Sequence, residues 1–62
     1  MGFLKKGLRY KFVIETNNVV LTYYAIVKDF DSNFVTFVDD RKNKIYTFNL
    51  NKVVSIEEEP LT

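Results

Sequence analysis

Cysteine and histidine are both absent from this 62-residue chain. Without thiols there can be no disulfide, thiolate metal site or cysteine nucleophile, and without imidazole the usual general base and the commonest metal ligand are missing. Only two glycines and one proline are present, so no glycine-rich loop can cradle a phosphate. Nothing sets a nucleophile beside a base; the chain is not expected to be an enzyme, and no cofactor is implied. No apolar run approaches the roughly 20 residues of a membrane span, and residues 1–8 are too short for the apolar region of a signal peptide. The expectation is a soluble, cytoplasmic protein with no membrane partner. An excess of one charge is also lacking. Nine basic and eight acidic side chains leave a net charge of +1, which supplies no global field toward nucleic acid.

A domain this short buries only about 60% of the surface its unfolded chain exposes, so its own core is marginal. With disulfides excluded, association into a homo-oligomer is the expected source of added stability. Charge is unevenly placed along the chain. Lys5, Lys6, Arg9 and Lys11 crowd one end, and Glu57, Glu58 and Glu59 crowd the other. Each cluster is a candidate electrostatic handle, or simply a solvated end. The chain forms a single domain over residues 1–62, with no repeat, linker or low-complexity tract.

Four β-rich runs between residues 19 and 56 are separated by short polar breaks that all carry Asn or Asp, and another run precedes them. Leu8, Tyr10, Phe12 and Ile14 alternate with more polar positions, the period of a first strand. Asn17 and Asn18 then suit a tight hairpin turn, because Asn tolerates the left-handed backbone conformation. Residues 19–28 are apolar on both parities, as expected of a long strand that bends and serves both halves of a small barrel. It holds no glycine, so the bend must come from a bulge or from twist. A loop at 29–33, a strand at 34–38, a charged turn at 39–43 and a strand at 44–50 follow. Asn51 and Lys52 connect tightly to a strand at 53–57, and Pro60 ends any pairing. Residues 2–6 could form at most a turn of helix. The expected fold is all-β: a five-stranded, strongly bent antiparallel small barrel of the SH3-like or OB-like kind.

Over residues 8–57 the chain resembles the Sm-like family, small-barrel proteins that include the Sm and LSm proteins and the bacterial RNA chaperone Hfq. The first family block is a turn, usually Asn-Gly, an apolar strand with a small central residue, and Asp-x-x-x-Asn before a further apolar strand. Here these are Asn17 and Asn18, the run VVLTYYAIV, and Asp29 with Asn33 before Phe34, Val35, Thr36 and Phe37. Phe48, Asn49, Leu50, Asn51, Lys52, Val53 and Ile56 fall on the frame of the second block. An Hfq-like register can also be drawn through Phe30 and Asp31. The Lys-His motif of Hfq is missing, which favours the generic Sm-like register. Asn49 and Leu50 replace the family's Arg-Gly pair, and Tyr23 stands where the family places a small residue.

The resemblance implies a homo-oligomeric ring built through strand edges, and weak binding of single-stranded, uridine-rich RNA. It places Asp29, Phe30, Asn33, Phe34 and Asn49 at the base-binding site, with Lys5, Lys6, Arg9 and Lys11 attracting the RNA backbone. Asn49 in place of Arg gives neither the charge nor the planar stacking surface of a guanidinium. The alternative is a small-barrel module that binds a protein partner and no RNA, as in accessory proteins of phage or mobile elements. Phe30 and Phe34, at the loop ends, are the expected exposed rings, and Phe12, Phe37 and Phe48 the expected core. Asp29, Asp31, Asp39 and Asp40 read as solvated turn residues rather than a metal or acid-base cluster. Tyr23 is expected to point outward, with Tyr24 or Val20 and Ile26 filling the core in its place.

Overall fold

A computed structural model describes residues 4–59. The strands are β1 (Arg9–Thr16), β2 (Val19–Phe30), β3 (Phe34–Asp39), β4 (Lys44–Asn49) and β5 (Val53–Glu58), with one 3-10 turn at Leu50–Lys52 before β5. All neighbours are antiparallel and lie in the order β4-β3-β2-β1-β5. The fold is therefore an all-β, five-stranded antiparallel sheet whose end strands are β4 and β5. No α-helix is found among the described residues; residues 6 and 7 form a plain turn, and Pro60 lies outside the described residues. Gly7 adopts a φ of +86° there, a conformation that costs glycine nothing. Its N–H donates to the Val27 carbonyl at 2.8 Å, which extends the β1–β2 ladder back before β1.

The β1–β2 connection follows directly from its sequence. Asn17 and Asn18 both have positive φ, 51° and 63°, the pair of left-handed residues a two-residue hairpin turn demands. That turn sets Thr16 opposite Val19, Phe12 opposite Tyr23 and Tyr10 opposite Ala25. Because alternate side chains face opposite sides of a strand, the even positions of β1 share a face with the odd positions of β2. This face is the core. Tyr10, Phe12, Ile14, Ala25, Val27, Val35 and Phe37 are buried on it, with Leu4 packed in from before β1.

The outward orientation expected of Tyr23 is overturned by this register. Tyr23 packs against the core, with its ring centroid 5.4 Å from Phe37, 5.1 Å from Tyr46 and 5.6 Å from Phe48. Val20 and Ile26, expected inside, are 59% and 36% exposed on the other face. Ala25, two residues on and facing the same way, is fully buried in the core. Phe12 and Phe37 are fully buried as expected and stack at 4.6 Å, while Phe48 is half-buried against them.

A bulge lies in the long strand. The β2–β3 register steps from Val27 opposite Phe37 to Asp29 opposite Thr36, leaving Lys28 as the extra residue. It reverses the parity of β2, so Val27 and Phe30 both face the core although they are three apart. Phe30 is consequently half-buried and packed on the core rather than the exposed ring expected of it. A second irregularity, at Val54 between Val53 and Ser55, does the same for β5. Val53 and Ile56 pack inward, and Val54 is left 62% exposed.

Truncation at Tyr23 should reveal its place in the aromatic cluster. Tyr23→Gly is expected to destabilise the protein by about 3 kcal/mol or more, through lost packing plus backbone entropy. Urea unfolding followed by circular dichroism measures this. A loss of only about 1 kcal/mol would be the backbone effect alone and would place the ring outside the core.

Candidate functional site

Five of the residues expected to touch RNA come from the segments around one loop. Asp31 organises that loop: its Oδ1 accepts the backbone N–H groups of Asn33 at 2.7 Å and Phe34 at 2.9 Å. The Asp31 N–H donates in turn to the Phe34 carbonyl at 2.9 Å. Short acidic side chains suit this task because they bond backbone groups a few residues ahead. The two N–H groups, that of Asn33 first, hold the Asp31 carboxyl below its usual range. The Asn33 carbonyl accepts from Leu50 N–H at 2.8 Å, which ties the loop to the 3-10 turn. Phe34 pairs with Asn49 across β3 and β4 and is 44% exposed.

Asn33, Phe34 and Asn49 are thus brought together at one end of the sheet. Asp29 and Phe30 lie on the neighbouring strand, where Asp29 Oδ1 accepts from Phe30 N–H at 2.9 Å. Only part of the group is available to a ligand. The Asn49 side chain already accepts from Asn51 N–H at 3.0 Å and caps the 3-10 turn, and Phe30 faces the core. Asn33 and Phe34 are exposed, and among the described residues no hydrogen bond engages the Asn33 side chain.

Three of the four basic residues expected to attract RNA are paired with acids. Lys6 Nζ lies 3.3 Å from Asp29 Oδ1, Arg9 Nε 3.0 Å from Asp40 Oδ2, and Lys11 Nζ 3.9 Å from Glu57 Oε2. The Arg9 contact joins charges without hydrogen-bond geometry, since Nε is buried and has no hydrogen-bond partner. Its guanidinium also sits 5.7 Å from the centre of the Tyr24 ring. Exposed pairs of this kind contribute about 0–1 kcal/mol each. Their larger effect is to neutralise the cations expected to draw in a phosphate backbone. Lys5 holds its position through its main chain, whose N–H donates to the Tyr10 hydroxyl at 2.9 Å.

The four aspartates have separate duties. Asp29 and Asp40 pair with cations, and Asp31 caps its loop. Asp39, expected as a solvated turn residue, instead ends β3 on the core face and is 4% exposed. Its Oδ1 accepts from the N–H groups of Arg41 at 2.8 Å and Lys42 at 3.3 Å. Beside it a cleft of about 210 Å³ opens between the first half of β2 and this turn, lined by Leu21, Thr22, Tyr23, Tyr24, Asp39, Arg41 and Lys42. Burial, then the nearby Tyr46 and Asp39, push the Tyr23 phenol above its ordinary pKa. Sequence reading missed this cleft because its walls come from two distant segments. The Asp39, Arg41 and Lys42 run was its one visible trace.

The loop's dependence on Asp31 has a definite sign. A carboxyl whose pKa is lowered by folding stabilises the fold above the unfolded-state value, and that contribution disappears as pH falls through the folded value. Asp31→Asn is therefore expected to lower the urea midpoint at pH 7 but to match the wild type more closely at pH 2. An equal difference at both pH values would show that the carboxylate charge plays no part.

Comparison of the chain with protein-family models, with curated proteins and with solved structures finds no match.

Proposed function

We propose that this chain is a non-enzymatic binding module of the Sm-like, small-barrel type, which assembles with copies of itself into a closed ring through β4 of one copy and β5 of the next. One observation carries the reading: the two end strands are matched in length, opposite in charge and, among the described residues, unpaired on their outer sides. Each has six residues. Lys44 opens β4, and Glu57 and Glu58 close β5. An antiparallel pairing with Lys44 opposite Glu58 sets Tyr46 opposite Ile56, so two half-buried apolar side chains meet on the core face. Ile45, 68% exposed on β4, would lie opposite Glu57.

Unpaired strand edges recruit further strands. A contact between two different edges adds copies head to tail and forms a ring when the rotation closes. The sheet is neither closed nor strongly curled; what supports the small-barrel reading is the bulge at Lys28 and the stack of Phe12 on Phe37. Those two rings come from β1 and β3, whose backbones in a flat sheet would lie about 10 Å apart, two strand spacings.

Single-stranded RNA is the second reading, favoured by the exposed Phe34 beside the exposed Asn33. An aromatic platform with an adjacent hydrogen-bonding group suits an unstacked base, and such stacking is worth about 1–3 kcal/mol. The paired state of Lys6, Arg9 and Lys11 argues for weak binding.

Light scattering coupled to size-exclusion chromatography tests the assembly. A stable multimer is expected at micromolar concentration, and a monomer overturns the ring. Lys44→Glu or Glu58→Lys alone should weaken association by about tenfold, while the double exchange should restore it. Fluorescence polarisation with oligo-U and oligo-A at two salt concentrations tests the RNA reading. Saturable binding to oligo-U that weakens with salt is expected; no saturation at low salt removes RNA and leaves a protein-binding module.

A further inference from the structure

The longest strand is paired on both sides for only part of its length. β2 pairs with β1 from Val19 to Ile26, but with β3 only from Ala25 onward. On the β3 side, residues 19–24 therefore form a third strand edge with no partner among the described residues, separate from those of β4 and β5. No backbone hydrogen bond from a described loop or turn reaches these residues. Val19 is 51% exposed and Val20 59%. The 210 Å³ cleft opens along this same edge, with Leu21, Tyr23 and Tyr24 as its apolar walls.

The charges at its mouth are unequal. Arg41 and Lys42 are exposed and form no ion pair among the described residues. Both nearby acids are occupied. Asp40 is held by Arg9, and Asp39 is buried with its Oδ1 taken up by two backbone N–H groups. An arriving ligand meets these two cations above a small recess of mixed lining, apolar at Leu21 and the two tyrosine rings and polar at Thr22 and Asp39.

We propose that this edge of β2 at residues 19–24 takes up an acidic peptide in extended conformation, adding a strand to the sheet. One apolar side chain of the peptide would enter the cleft, and its Asp or Glu side chains would meet Arg41 and Lys42. Strand addition draws affinity from main-chain hydrogen bonds and specificity from side-chain pockets. At about 210 Å³ the cleft is smaller than the roughly 300–1,000 Å³ typical of drug-sized ligands. A nucleic acid would also be drawn to the cations, but it has no peptide backbone to pair with a strand edge. This site is independent of the assembly proposed above, which uses the other two edges.

The test uses the full chain, labelled with nitrogen-15, and a capped peptide of about eight residues alternating Val or Tyr with Glu. Strand addition should shift the amide resonances of residues 19–24 and slow their hydrogen exchange. Reversing charge at both Arg41→Glu and Lys42→Glu, two exposed turn positions, should weaken binding about tenfold or more without altering the circular dichroism spectrum. A peptide with alternate backbone amides methylated should not bind. Equal binding of a version with Lys in place of Glu overturns the proposal. So does perturbation confined to β4 or β5, the absence of any shift at millimolar peptide, or an oligouridylate that shifts residues 19–24 where the peptide does not. Concentration-dependent shifts of those residues without peptide would assign the edge to a second copy of the chain and overturn it equally.

Discussion

The left-handed backbone at Asn17 and Asn18 is the constraint on which the rest of the sheet depends. A two-residue hairpin allows one register, and a slip of one residue would turn every side chain of β2 to the opposite face. With Thr16 held opposite Val19, Tyr10, Phe12 and Ile14 face inward together with Tyr23, Ala25 and Val27. The aromatic cluster that joins β1, β2, β3 and β4 follows from that choice. The opposite face receives Arg9, Lys11, Tyr24 and Ile26, so the turn also decides which cations can reach Asp40 and Glu57.

The two bulges refine the same logic. A strictly alternating β2 could not send both Val27 and Phe30 inward, and one extra residue at Lys28 allows it. β5 uses Val54 in the same way, so Val53 and Ile56 both reach the core. These corrections leave an apolar side chain outside, at Val54, on the strand that already lacks an outer neighbour. Inward packing and outward exposure are two results of one irregularity.

The strand boundaries were largely legible in the sequence, because alternation in residues 9–16, Asn-rich breaks and β-branched runs are local signals. The Asn17–Asn18 hairpin could be read from two residues. Tyr23 could not be placed by comparison with a family in which a small residue stands at that position. Parity counted from the hairpin would have placed it, since it faces Phe12. The bulge at Lys28 left no mark, as any residue can fill such a position, and the burial of Phe30 went unread with it. At the candidate site, the grouping of Asn33, Phe34 and Asn49 was an implication of the Sm-like resemblance, not of composition or spacing. The pairing of Lys6, Arg9 and Lys11 with Asp29, Asp40 and Glu57 could not be anticipated, because each pair joins segments far apart in the chain.

The strand order has a consequence for how the molecule forms. Three of its four ladders join strands that follow one another in the chain, and these hairpins need only short loops to close. The remaining ladder brings β5 back to β1 from the opposite end of the chain. Local contacts form quickly, whereas distant ones must first overcome the entropy of closing a long loop. The meander from β1 to β4 can therefore be in place before β5 docks. Until then β1 lacks a neighbour on one side, and the side chains that Val53 and Ile56 will cover stand open to water. The edge of β1 that β5 covers is thus the last in the sheet to be closed by the chain itself.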